Sequence, residues 1–285
     1  MLFRSSDGEG DPDWDNSAYD MIVVNETKDF IEKHLEERPK KPFFAYVAFG
    51  AVHKPHAPPF QYIDGSKVMG RYMTDHLDML GLMDKAVGSL TDFIEEKNLE
   101  DDTIIIFTSD NGGLVYPDDP DETGHRASGP LRYCKGSIYE GGHRVPLLIS
   151  QPGTFPEGER RNKVVGLNDI YATVCELAGI SEPKEGSAVD SISFAKYIQR
   201  GNSSDVQRNS LGTFLPLKGN HALRKGKWKF VHFTNNNTME LYNIENDVSE
   251  VHNVLAGHPA QNLLEMATQM CKELREIGPC PLNGT

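Results

Sequence analysis

Residues 103–113 read TIIIFTSDNGG, and how this stretch is parsed decides the fold. Its first six residues are apolar or β-branched on both parities, the pattern of a strand covered on both faces. Hydrogen-bonding side chains and two glycines follow, so the chain turns sharply at the strand's carboxyl end. Ligands of open α/β sheets sit outside the carboxyl ends of strands, which puts Asp110 and Asn111 where chemistry is expected.

Working upstream, Met73, Leu77, Leu80, Met83, Val87, Leu90 and Ile94 recur at helical spacing, and residues 43–49 (FFAYVAF) read as another buried strand. Strand, helix and strand at these lengths predict a βαβ unit. Residues 53–59 are Pro-rich and predict a loop. Residues 19–35 predict an amphipathic helix with Ser17 as its N-cap.

Downstream, residues 145–150 (VPLLIS) predict a third strand and residues 169–178 a helix. Beyond residue 201 the pattern changes to short strands at 211–215, 221–224, 227–233 and 239–244, with a Lys225-Gly226 turn and a final helix over 259–277. The expected fold is α/β: a mixed, largely parallel sheet flanked by helices, with a small C-terminal α+β antiparallel subdomain. The expected division is 1–205 and 206–285.

Lys plus Arg number 29 and Asp plus Glu 42 in 285 residues, a net charge of −13 that argues against nucleic acid as a partner. Any anionic substrate must then be met by local positive charge. The longest apolar run, residues 43–52, is about half of what a membrane-spanning helix needs. The N-terminal stretch turns acidic too soon for a secretory signal. Of the four cysteines, Cys271 and Cys280 are spaced to pair in an oxidising compartment. Sequons at Asn25, Asn202, Asn236 and Asn283 matter only in a secretory protein. Residues 118–122 (DDPDE) read as a solvated loop.

Three segments carry chemistry. Asp110 and Asn111 offer a carboxylate and an amide oxygen on one turn, hard donors that suit Ca²⁺ or Mg²⁺, although Asp-Asn-Gly-Gly is equally a plain turn. His53, Lys54 and His56 share a proline loop able to bind an anion or shuttle a proton, the alternative being surface histidines. Lys135 lies in the glycine-bearing stretch 130–144 (PLRYCKGSIYEGGHR), where backbone and lysine can approach a ligand closely.

Taken together, KPFFAYVAFGAVHKPHAPP, LMDKAVGSLTDFIEE, TIIIFTSDNGG, GPLRYCKGSIYEGGHRVPLLISQPG, LNDIYATVCELAGI, ALRKGKWKF and ELYNIENDVSE resemble the sulfatases of the alkaline phosphatase superfamily over most of the chain. The resemblance implies hydrolysis of aryl or carbohydrate sulfate esters. It implies that Asp110 and Asn111 bind one divalent cation, Ca²⁺ or Mg²⁺, that Lys135 holds a sulfate oxygen, and that His53 contacts the ester oxygens, with His56 as second choice. Val52 stands where that family commonly has Pro. Glu140 and Arg144 are expected to orient their loop. The implied setting is secreted, lysosomal or periplasmic.

The chain departs from the family at the nucleophile. Sulfatases convert the cysteine of a Cys-x-Pro-Ser-Arg motif to formylglycine, and none of Cys134, Cys175, Cys271 and Cys280 stands in that context. The acidic metal ligands of the family's first strand, and its upstream Lys and His, are absent too. The sequence therefore reads as the C-terminal two thirds of a sulfatase, inactive by itself. The alternatives are a catalytically dead module that binds sulfated glycans or a protein partner, and phosphodiester or phosphonate cleavage. Zinc for the last would want imidazole where Asn111 stands. Oligomeric state is not legible.

Overall fold

The computed structural model describes residues 15–114, 124–180, 186–201, 208–215 and 219–277. Asn202, Asn283, Cys280, residues 118–122 and the N-terminal stretch 1–14 lie outside them. The chain divides into two compact units, residues 1–103 and 104–285.

In the first unit, α1 (Tyr19–Glu37) and α2 (Asp75–Glu96) lie side by side. Thr74 caps α2, its hydroxyl accepting from Leu77 N at 3.2 Å. Ser17 does not cap α1: the cap residue is Ala18, and the Ser17 hydroxyl donates to Asp15 instead. Ile31, Phe93 and Ile94 form one core, and Tyr62, Val68 and Leu82 another. The buried apolar stripe of α2 runs through Met79, Leu82, Ala86, Phe93 and Ile94; of the expected stripe from Met73 to Ile94 only Ile94 is fully buried, and Met73 is 76% exposed. The helix is apolar on more than one flank, so its partners select the face.

Residues 43–49 form no strand. Phe43 packs under α1 and α2, while Phe44 and Tyr46 are 71% and 86% exposed. A β-rich composition becomes a strand only through a ladder partner, and none engages this segment among the described residues.

In the second unit, β1 (Ile105–Thr108) pairs with β2 (Leu147–Ser150). The pairing is antiparallel, with Thr108 opposite Leu147, and so is every other ladder among the described residues; the parallel pairing expected of the main sheet is not seen there. Between them lies the four-residue helix α3 (Glu140–His143), and α4 (Asp169–Leu177) and α5 (Ala195–Arg200) follow.

The C-terminal sheet has the expected antiparallel order β3 (Leu211–Leu215), β4 (Asn220–Lys225), β5 (Trp228–Phe233), β6 (Thr238–Asn243). Gly226 takes the left-handed conformation (φ 55°) that the hairpin between Lys225 and Trp228 requires at its first central position. Period-2 alternation gives the sheet two apolar faces. Leu223, Phe230 and Leu241 meet α6 (Gln261–Ile277) at Ala267, Met270, Cys271 and Leu274. Ala222, Val231 and Tyr242 meet Ile138 and Tyr139 on the other face. The sheet thus shares a core with the segment before α3, and the contacts part between residues 103 and 104, not at 205/206. Cys271 is buried in the α6 core.

Candidate functional site

Asp110 and Asn111 follow β1 on a turn whose glycines are demanded by close approach. A Cβ on Gly112 would stand 1.8 Å from Gly141 O, and one on Gly141 would stand 2.2 Å from Tyr133 O. Gly112 N donates to Gly142 O at 3.0 Å, and Lys135 N donates to Gly113 O at 2.9 Å. The turn after β1, the Lys135 loop and α3 are therefore one interlocked backbone knot.

On this knot Asp110 is exposed and Asn111 half-buried. Asn111 Nδ2 donates to Gly112 O at 3.1 Å, leaving its amide oxygen as an acceptor beside the Asp110 carboxylate. Lys135 is half-buried, and its ammonium has no partner among the described residues.

The knot is anchored from behind by charge. Lys229 projects from β5 on the same face as Val231 and is 1% exposed, with Nζ 2.9 Å from Glu140 Oε1 and 2.8 Å from Glu250 Oε1. Glu250 Oε2 accepts from Glu140 N at 2.6 Å. Burial raises the Glu140 carboxyl, but the Lys229 ammonium outweighs burial and holds it below its ordinary value. For Glu250 burial wins over Lys229, and its carboxyl is pushed up. His143 Nε2 lies 3.0 Å from Ile138 O and 3.2 Å from Lys229 Nζ. Burial, then the Lys229 charge, lowers its pKa, so the imidazole is neutral at pH 7. Arg144 pairs with Glu140 at 3.3 Å. Glu140 thus ties α3 to β5 through Lys229.

His53 stands in the first unit. It is exposed, with Nδ1 2.6 Å from Lys54 O and its amide donating to Gly50 O at 2.8 Å. The loop before it hangs on a buried carboxylate: Asp20 Oδ1 accepts from Gly50 N at 2.6 Å and Oδ2 from Ala51 N at 3.0 Å. Burial raises the Asp20 pKa, partly offset by these two amides. His56 lies against His76, with ring centroids 5.1 Å apart and planes tilted by 56°.

The backbone of Lys135 is thus bonded to the turn that follows Asp110 and Asn111 in the second unit, while His53 is placed within the first. Sequence reasoning missed Asp20, Lys229 and Glu250. Two of them left a trace: Asp20 shares a helical face with Val24 and Ile31, and Lys229 has the inward parity of Val231.

The Sulfatase family profile matches residues 4–180, and the profile described as N-sulphoglucosamine sulphohydrolase, C-terminal, matches residues 132–278. A sulfatase of Formosa agariphila is 29% identical over 277 residues, covering 87% of this chain and 48% of the relative. An N-acetylgalactosamine-6-O-sulfatase of Bacteroides thetaiotaomicron is 28% identical over 265 residues, covering 86% of this chain and 49% of that one. A solved sulfatase structure, from work on the metabolism of multiple glycosaminoglycans by Bacteroides thetaiotaomicron, superposes with a TM-score of 0.77 at 26% identity, over 93% of this chain and 55% of that one. The chain spans about half the length of these curated relatives, less than the two thirds expected from its motifs.

Proposed function

We propose that this chain, which belongs to the sulfatase family, serves the hydrolysis of sulfate esters by contributing part of the sulfate pocket and part of a divalent-cation shell. The observation that carries the reading is the knot itself. The hydrogen bonds Lys135 N to Gly113 O and Gly112 N to Gly142 O hold the free lysine against the turn that carries Asp110 and Asn111. In this reading the Lys135 ammonium holds a sulfate oxygen. Asp110 and Asn111 give two oxygen donors to Ca²⁺ or Mg²⁺, an ion that when bound screens the charge of the sulfate.

The donors fit such an ion in kind and fall short in number: no metal-competent group of three or more His, Cys, Asp or Glu side chains occurs among the described residues. No Cys-x-Pro-Ser-Arg motif occurs in the 285 residues, so no covalent step is assigned to this chain. That same feature favours a second reading, a module that binds sulfated glycans without turning them over. The N-acetylgalactosamine-6-O-sulfatase activity for which the Bacteroides relative is named supports a sulfated amino sugar as substrate class. A secreted, lysosomal or periplasmic setting accords with such a substrate, and no described helix is long and apolar enough to cross a membrane.

Calorimetric titration with N-acetylgalactosamine 6-sulfate tests the site. Lys135→Ala is expected to weaken binding by about tenfold, the worth of one charge-assisted contact. Unchanged affinity removes Lys135 from the sulfate pocket.

A further inference from the structure

On the surface of the second unit an open hollow of about 550 Å³ lies between the loop leading to Lys135 and the chain after β6. Its cations are Arg126 and Arg132. The Arg126 guanidinium is exposed and has no partner among the described residues. Arg132 spends only Nη1, on Tyr242 Oη at 3.0 Å and Glu250 O at 2.8 Å, and its plane is pinned over the Tyr139 ring at 3.8 Å. Its Nε and Nη2 donors have no hydrogen-bond partner among the described residues. The one carboxylate among the lining residues, Glu250, is turned inward to Lys229, so the hollow presents positive charge in a chain of net charge −13.

The remaining lining is apolar and held in place. Pro130, Leu131 and Val251 line it, and Ser249 Oγ donates to Pro130 O at 2.6 Å, fastening its two sides. The backbone at Glu250 is left-handed (φ 51°), which a non-glycine residue adopts only when its surroundings hold it there. Apolar walls of this kind suit the C–H face of a pyranose ring, and a fixed guanidinium suits the two oxygens of a carboxylate or sulfate.

We propose that this hollow is a subsite for an anionic group of a sulfated oligosaccharide, separate from the sulfate ester held at Lys135. The inference rests on the sulfate-ester reading above. Arg126 is its specificity-determining residue, and Arg132 orients the floor. The anion is a carboxylate or a second sulfate, two sources with one recognition chemistry.

The test uses the full chain at low salt, because contacts of this kind are screened. The probes are a chondroitin 6-sulfate tetrasaccharide, the same tetrasaccharide with its carboxyls reduced, a sulfated galactan tetrasaccharide without uronate, and N-acetylgalactosamine 6-sulfate. Arg126→Gln is expected to weaken tetrasaccharide binding by about tenfold, to leave the monosaccharide unchanged, and to leave the far-UV spectrum and melt unchanged, since Arg126 supports no other group. Arg126→Lys retains most of the affinity. An Arg126 effect that carboxyl reduction abolishes identifies a carboxylate; one that persists there and with the galactan identifies a sulfate. Equal binding of wild type and Arg126→Gln to every tetrasaccharide overturns the proposal, as does an equal loss for monosaccharide and tetrasaccharides. If Lys135→Gln changes nothing while Arg126→Gln still weakens the tetrasaccharides, the sulfate-pocket reading fails and the anionic subsite stands.

Discussion

Replacing Lys229 by Met keeps the stem of the side chain in its place between the sheet and the 138–140 segment and removes only the ammonium. Glu140 and Glu250, 7% and 0% exposed at their side chains, are then left facing each other without their shared cation. Removing one partner of a buried ion pair costs about 3–5 kcal/mol, a large share of the 5–15 kcal/mol that typically holds a domain together. At roughly 2–4 °C per kcal/mol for a unit of this size, Tm should fall by about 6–20 °C.

The loss is also pH-dependent in a stated direction. In the wild type, Glu140 is held below its unfolded value, so its contribution is present above that value and lost as pH falls through the folded one. Glu250 is raised, so its contribution is present at low pH and lost as pH rises through the folded value. Without Lys229 both carboxyls rise and take up protons more readily. The deficit of Lys229→Met should therefore be largest near neutral pH and shrink toward about pH 5. Scanning calorimetry across this range reads it directly, and adding Glu140→Gln should recover part of the loss. A variant melting within about 2 °C of wild type at neutral pH, or a deficit that grows on acidification, refutes the reasoning.

Three further outcomes follow from the same structure. Asp20→Ala removes the acceptor of the Gly50 and Ala51 amides, which should cost about 1–3 kcal/mol and accelerate hydrogen exchange at those two amides, and unchanged exchange would refute the anchoring role. Ca²⁺ binding to the chain alone should be weaker than about 1 mM by calorimetry, because Asp110 and Asn111 are two donors of the six to eight the ion takes; micromolar affinity unaffected by Asp110→Ala would exclude them from the site. The chain alone should not turn over 4-nitrocatechol sulfate, and turnover that disappears in Lys135→Ala would mean that another residue attacks sulfur.

What the sequence determined by itself is what depends on short spacing. The helices α1, α2, α4 and α6 and the four strands of the C-terminal sheet were legible because their periodicities of 3.6 and 2 are local. The glycine-bearing loops that carry Asp110, Asn111 and Lys135 were legible as loops for the same reason, since glycine marks turns locally. Tertiary structure alone decided the rest. Residues 43–49 have the composition of a strand but no ladder partner among the described residues, and pairing is a long-range event that composition does not encode. The buried face of α2 was set by the segments packed on it, because more than one of its flanks is apolar. The link from Lys229 to Glu140 spans 89 residues, and the contact of Gly112 with Gly141 closes at backbone distance only once both loops are folded. The first contact joins the C-terminal sheet to α3, because a buried ammonium must find its carboxylates wherever the chain has placed them, and the second joins α3 to the turn after β1.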